Sequence, residues 1–398
     1  MSCKKTGLSI FLLIVFILSG CTHAKFSVSK PDVASASSSS PSHFQEGSVS
    51  TSNDQVEPKT PAKIIAVSVS AFGDITVALK EDGTVWSWGD NEYGQLGDGT
   101  NVSRNTPMQV KGISNVLAIA NGAGHAIALK EDGTVWAWGR NLEGEFGDGS
   151  SQSSGIPKQV IGLSEVTAIA AGDNHSLAIR EDGTVWAWGD NSYTQLGRPI
   201  EDDDNGQPKQ VEGIHDAKQI SGGLAFSLTV LKDGELLAWG WNESIDLGHE
   251  DYLSPVDLGF DQIVQASGTT AVRVLKSDGT VWEWGYEDEE RPRQVKGLND
   301  VIAIDLGRSF NMAIKNDGTV LTWGHNDHGE LGDGTTVDKD TPEQVQGLKD
   351  IIAVDGGQYH AVALQKDGTI WAWGDNSHGQ LGDGTYISRS LPAKVQFE

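Results

Sequence analysis

One stretch of this chain recurs seven times, and a chain built that way has few means of burying its apolar residues. It reads EDGTVWSWGDNEYGQLGDGT at Glu81 to Thr100. Its Asp-Gly pairs begin at Asp82, Asp132, Asp182, Asp233, Asp278, Asp317 and Asp367, with spacings of 50, 50, 51, 45, 39 and 50. Regular copies of this length signify a repeat architecture in which each unit covers its neighbour's apolar face.

Each copy reads as strands. Asp-Gly between two apolar runs is a strong hairpin signal, because the turn needs positive φ. The run His125-Ala-Ile-Ala-Leu129 precedes one such pair and Thr134-Val-Trp-Ala-Trp138 follows it. Alternation puts Trp136 and Trp138 on one face, and Val135 and Ala137 on the other. Val116 to Ala120 supplies a further strand before these, and Pro107 to Val110 another between copies. Four short strands, apolar on both faces, must stack on neighbours.

Seven such units predict an all-β fold, a seven-bladed β-propeller of four-stranded blades. The repeats open inside a copy at Pro61 and end with Pro392-Ala-Lys-Val395, a Pro-x-x-Val strand also written at Pro107, Pro157, Pro208, Pro292 and Pro342. That last strand is expected beside the first blade, so that the N- and C-terminal strands pair and close the ring. A closed ring leaves no long sheet edge to cover, and a monomer is expected.

The chain divides into three parts. Residues 1–20 carry Lys4 and Lys5, an apolar run from Leu8 to Leu18, and small residues before Cys21. This pattern resembles a bacterial lipoprotein signal, which implies that Cys21 is acylated, as with palmitate, and becomes the first mature residue. The run is shorter than the ~20 residues a membrane span needs. Lipid at Cys21 predicts an extracytoplasmic protein anchored to the bacterial cell membrane. Residues 21–60 hold eleven serines between Ser27 and Ser52 with almost no aliphatic side chain, the composition of a tether. Its root-mean-square reach is on the order of 35 Å. Residues 61–398 hold the repeats. The cysteines Cys3 and Cys21 both precede them, which leaves the propeller without a disulfide or a thiolate metal site.

Charge narrows the partners. Without residues 1–20 the chain has 27 basic against 55 acidic residues, a net charge of −28. Phosphate backbones need Lys and Arg, so no nucleic acid is expected.

No enzyme site emerges. His125, His175 and His360 occupy one slot of the repeat, where the other copies carry Ile75, Phe226, Ala271 and Phe310. A slot that accepts Phe and Ala serves packing, so no metal or other cofactor is expected there. Gly94 to Gly99 is Gly-rich but lacks the Lys of a phosphate loop. The acidic runs Glu201 to Asp204 and Glu287 to Glu290 lack the alternating oxygen spacing of a calcium loop and read as solvated.

Trp-x-Trp-Gly-x-Asn-x-x-Gly-Gln-Leu-Gly-Asp-Gly, followed by Pro-x-x-Val and Ala-x-Gly-x-x-His, resembles the regulator of chromosome condensation repeat family. Trp86 to Thr100, Trp136 to Ser150 and Trp371 to Thr385 are its fullest forms. The resemblance implies a seven-bladed propeller. Eukaryotic members of that family bind chromatin and exchange nucleotide on a small nuclear GTPase, and a bacterial relative inhibits β-lactamases. No spacing here exceeds 51 residues, so there is no room for the insertion that serves as the exchange wedge, and exchange-factor activity is not expected.

Function is sought where the repeat breaks. Copy four carries Leu237 in place of the first Trp and reads Trp241-Asn-Glu-Ser-Ile-Asp-Leu-Gly where others have the Gly-Gln motif. Copy five passes from Gly285 through Tyr286 and four acidic residues to Pro292. After Trp-Gly, three adjacent copies present Trp241, Tyr286 and His325. Rim aromatics of this kind anchor interfaces. Trp241, Tyr286 and His325, edged by Glu287 to Glu290, form the candidate binding patch; the alternative is that the aromatics fold inward to fill space. The expectation is a non-catalytic scaffold or receptor for an extracytoplasmic protein. The alternatives are an inhibitor of an extracytoplasmic enzyme such as a β-lactamase, and a cell-wall polysaccharide binder.

Overall fold

A computed structural model describes residues 62–200, 206–241, 253–284 and 292–397. They form seven four-stranded antiparallel sheets, each built from strands consecutive in the chain. The sheets are the blades of a β-propeller, as the seven copies require. In the first blade the strands are Ile64–Val69, Ile75–Lys80, Val85–Gly89 and Arg104–Gln109. The inner strand and its counterparts in the other blades line a central channel of about 300 Å³. No helix of the described residues is long and apolar enough to cross a membrane.

The hairpin after the second strand shows why Asp-Gly recurs. Gly83 N donates to Lys80 O at 2.9 Å, closing a turn in which Gly83 alone takes positive φ, at 74°. Asp82 then serves by its side chain, not its backbone: its Oδ1 accepts from Thr84 N at 3.1 Å and from Thr84 Oγ1 at 2.7 Å. A Cβ on Gly83 would also lie 2.9 Å from Asn115 Cα of the next blade, so the turn excludes any other residue twice over. These turns define one face of the ring, the turn face. The segments after Trp-Gly and between the first two strands of each blade define the other, the loop face.

The core lies between blades rather than inside one. Ile75, Val77 and Leu79 of blade one pack with Val116, Ile119, Ala128 and Trp138 of blade two, all buried. The second Trp of the pair is the wedge: Trp88, Trp138, Trp188, Trp239 and Trp373 are fully buried. The first Trp has a different role. Trp86 is half-buried, with Lys80 Nζ 3.9 Å from its ring centroid.

Closure of the ring departs from the sequence expectation. The last strand, Arg389–Lys394, pairs with Ile370–Gly374 of its own copy, and Ile64–Val69 pairs with Ile75–Lys80. The terminal strands therefore do not pair with each other. The chain enters at an inner strand, so every copy completes its own blade, and the outermost strand follows its Trp strand through one loop. Side chains close the ring instead. Ile64, Val69, Ala78 and Trp88 pack against Val362, Leu364, Ile370 and Leu381. Gln380 O accepts from Thr76 Oγ1 at 2.8 Å and from Trp88 Nε1 at 2.9 Å. Beyond the last strand, the Phe397 ring meets Trp86 and Trp88 edge-on at 5.9 Å.

Candidate binding face

The loop face is built by a repeated cap. Asn91, fully buried, accepts from Leu96 N at 3.0 Å and donates to Thr100 O and Val102 O at 3.0 and 3.1 Å. Asn326 and Asn376 make the same set of bonds. This arrangement leaves the carbonyl before Leu96 pointing at the next blade. Gln95 O accepts from Trp138 Nε1 at 2.9 Å, and Glu145 O from Trp188 Nε1 at 2.8 Å. Trp-x-Trp and Gly-Gln-Leu-Gly are thus two halves of one latch between neighbouring blades.

The histidine slot belongs to the same latch. His125 Nε2 lies 3.0 Å from Ser176 Oγ, and Ser176 Oγ donates to Glu145 O at 3.1 Å. His175 meets Ser227 at 3.0 Å, and His360 meets Thr76 at 3.2 Å. Each hydroxyl spends its proton on a loop carbonyl, so each His must donate from Nε2. Burial holds His125 down to about 3, and His175 and His360 to about 4, so all three are neutral. The three rings stand at three separate blade junctions and bond hydroxyls of the following blade.

Of the residues expected to bind a partner, Cys21, Tyr286, Glu287 and Glu290 lie outside the described residues, as do Glu201 to Asp204. Trp241 is half-buried on the loop face. It stacks on Tyr193 of blade three, with centroids 5.1 Å apart and planes 21° apart. Its N–H is shared between Tyr193 O at 3.0 Å and Ala225 O at 2.9 Å. Tyr193 itself is 48% exposed. His325 lies on blade six, where its Nδ1 is 3.3 Å from Asp338 Oδ2. The structure joins Trp241 to Tyr193 and His325 to Asp338; no contact among the described residues joins Trp241 to His325.

Tyr193 escaped the sequence reading. A signal was present, since Tyr93, Tyr193, His328 and His378 share one slot three residues beyond the position after Trp-Gly. A second stack follows the same rule: His328 of blade six lies on Tyr359 of blade seven, with centroids 4.4 Å apart. Charge lines the face as well. Arg140 reaches Glu145 at 2.7 Å and bonds Asn174 of the next blade. Burial raises the Asp173 carboxyl to about 6, against the opposing pull of Arg140.

Comparison with known proteins agrees with this geometry. Human E3 ubiquitin-protein ligase HERC2 is 32% identical over 234 residues, 56% of this chain but 4% of that protein. The ultraviolet-B receptor UVR8 of Arabidopsis thaliana is 30% identical over 228 residues, 54% of this chain and 40% of the receptor. Protein pim1 of Schizosaccharomyces pombe is 29% identical over 140 residues, 29% of this chain and 26% of its own. The matched region thus spans well under half the length of these relatives. Among solved structures, Prp20p of Saccharomyces cerevisiae superposes with a TM-score of 0.71 at 22% identity, covering 80% of this chain and 87% of its own. Human WBSCR16 does so at 0.70 and 23%, covering 79% and 95%. Residues 20–291 match the RCC1-like domain, and residues 317–364 and 367–398 match the repeat itself. With most of its length covered by these matches and each copy folded as one blade, the chain belongs to the regulator of chromosome condensation (RCC1) repeat family.

Proposed function

We propose that this propeller is a non-catalytic scaffold or receptor that binds another protein through its loop face, held outside the cytoplasm by lipid on Cys21. The observation that carries the reading is the Tyr193–Trp241 stack. It places a large aromatic surface beside the two copies whose loops depart from the repeat, and Tyr193 is 48% exposed. Stacked Tyr and Trp at a rim supply contact area at low entropic cost. Trp241 is half-buried, so its outer face remains for a partner while its inner face rests on Tyr193. Prp20p, similar in fold, is described by its binding to Gsp1p and histones, which supports a binding role for this architecture. The acidic balance favours a partner with a basic surface.

The test is capture of envelope proteins by the full chain, in parallel with Trp241→Ala and Tyr193→Ala. A saturable partner lost with both variants, at unchanged melting temperature, is expected. Capture undiminished by both would remove the loop-face patch. Retention on insoluble wall polymer, released by free sugar, would instead make the chain a lectin. The anchor has its own readout: Cys21→Ser is expected to abolish acyl labelling and release the chain from the membrane fraction.

A further inference from the structure

The seam between blade seven and blade one holds a cluster that differs from the other junctions. Asp74 stands at the entry to the second strand of blade one, and Asp375 and His378 stand on the loop of blade seven. One donor atom from each lies within 4.8 Å of the others, and His378 Nδ1 is 3.5 Å from Asp74 Oδ2. Gln380 Nε2 donates to both carboxylates, at 3.1 Å to Asp74 and 2.9 Å to Asp375. Ser377 and Ser388 hydroxyls fix the two oxygens of Asp375, at 2.6 and 3.0 Å. The His378 side chain is 47% exposed, so the cluster opens to solvent on the loop face.

The same four slots recur between blades two and three. There Arg140 replaces Asp375, Asn174 replaces Asp74, Glu143 replaces His378 and Glu145 replaces Gln380. The Arg140 guanidinium lies 2.7 Å from Glu145 and 3.8 Å from Glu143, and it bonds Asn174. That junction carries its own cation at its centre. At the seam the corresponding position is a carboxylate facing a second carboxylate, and His378 is the basic group that meets them. The homologous slot thus holds a cation in one place and a surplus of negative charge in the other.

We propose that Asp74, Asp375 and His378 form a divalent transition-metal site that staples the last blade to the first. Two carboxylate oxygens and one imidazole nitrogen suit Zn²⁺, Mn²⁺ or Fe²⁺, whereas Ca²⁺ takes six to eight oxygens. Bonds of about 2.0–2.2 Å place neighbouring ligand atoms roughly 3–3.5 Å apart. His378 Nδ1 and Asp74 Oδ2, 3.5 Å apart, already stand at that spacing. The remaining coordination positions face solvent, open to water or to a partner's side chain. Because the terminal strands do not pair, such bonds would tie together the two ends of the ring.

The experiment titrates the full chain, stripped with chelator, with Zn²⁺ and with Mn²⁺ by calorimetry, and follows melting temperature in parallel. One saturable site is expected, with a melting temperature several degrees higher when it is filled. His378→Ala and Asp74→Asn are expected to weaken it at least tenfold, and His215→Ala, at an exposed histidine on another blade, to leave it unchanged. Asp375→Arg, which imports the arrangement of Arg140, is expected to abolish the response to metal while melting no lower than the stripped wild type. His378→Ala alters an exposed side chain and keeps the test readable if a carboxylate variant fails to fold. Absence of saturable binding, or binding undiminished by His378→Ala and Asp74→Asn, would overturn the site.

Discussion

Two arcs of this ring are held together by different bonds. Between blades two and three the tie lies at the loop face: Glu145 O receives Trp188 and Ser176, and Ser176 receives His125. Between blades four and five it lies at the channel. Gln219 on the inner strand of blade four donates to Ala266 O at 2.7 Å and accepts from Ala266 N at 2.9 Å. Gln265 repeats the clamp on Ile304, at 2.6 and 2.9 Å. The corresponding residue of every other blade is alanine, at Ala66, Ala118, Ala168, Ala303 and Ala353. Copies four and five, whose loop sequences depart furthest from the repeat, are the two that carry the glutamine. Blades four and five thus carry a glutamine clamp at the channel where the other blades carry alanine.

The loop-face arc should be the acid-sensitive one, and this is the largest effect expected. His125, His175 and His360 have folded values of about 3, 4 and 4, against 6.5 when unfolded. The unfolded chain takes up their protons first, so their contribution is complete above pH 6.5 and is lost as pH falls from 6.5 toward 4. At about 1.4 kcal/mol per pKa unit and site, the three together amount to several kcal/mol, on the order of a domain's whole stability. Denaturant midpoints between pH 7 and 4 measure it. His125→Phe with Ser176→Ala, the pairing found naturally at Phe310 and Ala361, should flatten the acid limb by about a third. An unchanged limb would mean that other groups carry it.

That pairing was present in the sequence and went unread. His125, His175 and His360 are followed one copy later by Ser176, Ser227 and Thr76, whereas Ile75, Phe226 and Phe310 are followed by Ala126, Val272 and Ala361. Ala271 is followed by Asn311, whose amide turns instead to Trp323 O of its own blade. Reading the slot within a copy showed that it tolerates Phe; only reading across copies shows what the His bonds. The blade count was legible because each Asp-Gly turn and Trp pair is a local signal. Ring closure was not, because a Pro-x-x-Val strand between two copies can belong to either, and periodicity alone does not set the phase. Tyr193 was hidden for a similar reason: its contact with Trp241 is made by the approach of two blades.

The channel arc fails differently. In blade five, Arg273 and Glu283 form a buried pair at 2.8 Å in the slots that hold Leu228 and Ala238 in blade four. Glu283→Ala removes the carboxylate that Arg273 and Arg293 both meet, at 2.8 and 2.9 Å, and is expected to cost about 3–5 kcal/mol by chemical denaturation. Replacing both, as Arg273→Leu with Glu283→Ala, should restore most of that loss. If the single and double variants lose equally, packing rather than charge decides this blade.

Gln219→Ala removes the clamp and leaves the N–H and C=O of Ala266 without their protein partner, with an expected loss of about 2–3 kcal/mol. The equivalent test of the loop-face latch is Trp138→Phe, which keeps an aromatic ring in the slot but removes the donor to Gln95 O, for about 1–2 kcal/mol. If the two arcs are alternative solutions to one requirement, combining these variants at distant junctions should give additive losses. A loss well beyond the sum would show that the ring transmits strain from one arc to the other.

The smallest effect runs opposite to the histidines and comes from the channel wall. Burial pushes the Asp305 carboxyl up to about 6, and burial with the charge of Asp305 raises Asp355 beside it well above the usual range. An acid raised on folding contributes fully below its unfolded value near 3.8 and loses that contribution as pH rises through its folded one. The pair therefore weakens the protein on the alkaline side while the histidines weaken it on the acid side; with three histidines set against two carboxyls, stability should peak near pH 6.5. Asp355→Asn keeps an oxygen able to accept from Val69 N, the bond made at 3.2 Å by Asp355 Oδ2, and removes the titration. It is expected to raise the melting temperature at pH 8 by a few degrees and to leave it unchanged at pH 4, shifting the peak upward. A variant that melts lower at both pH values would show that Asp305 and Asp355 hold blades six and seven together through a shared proton that an amide does not replace.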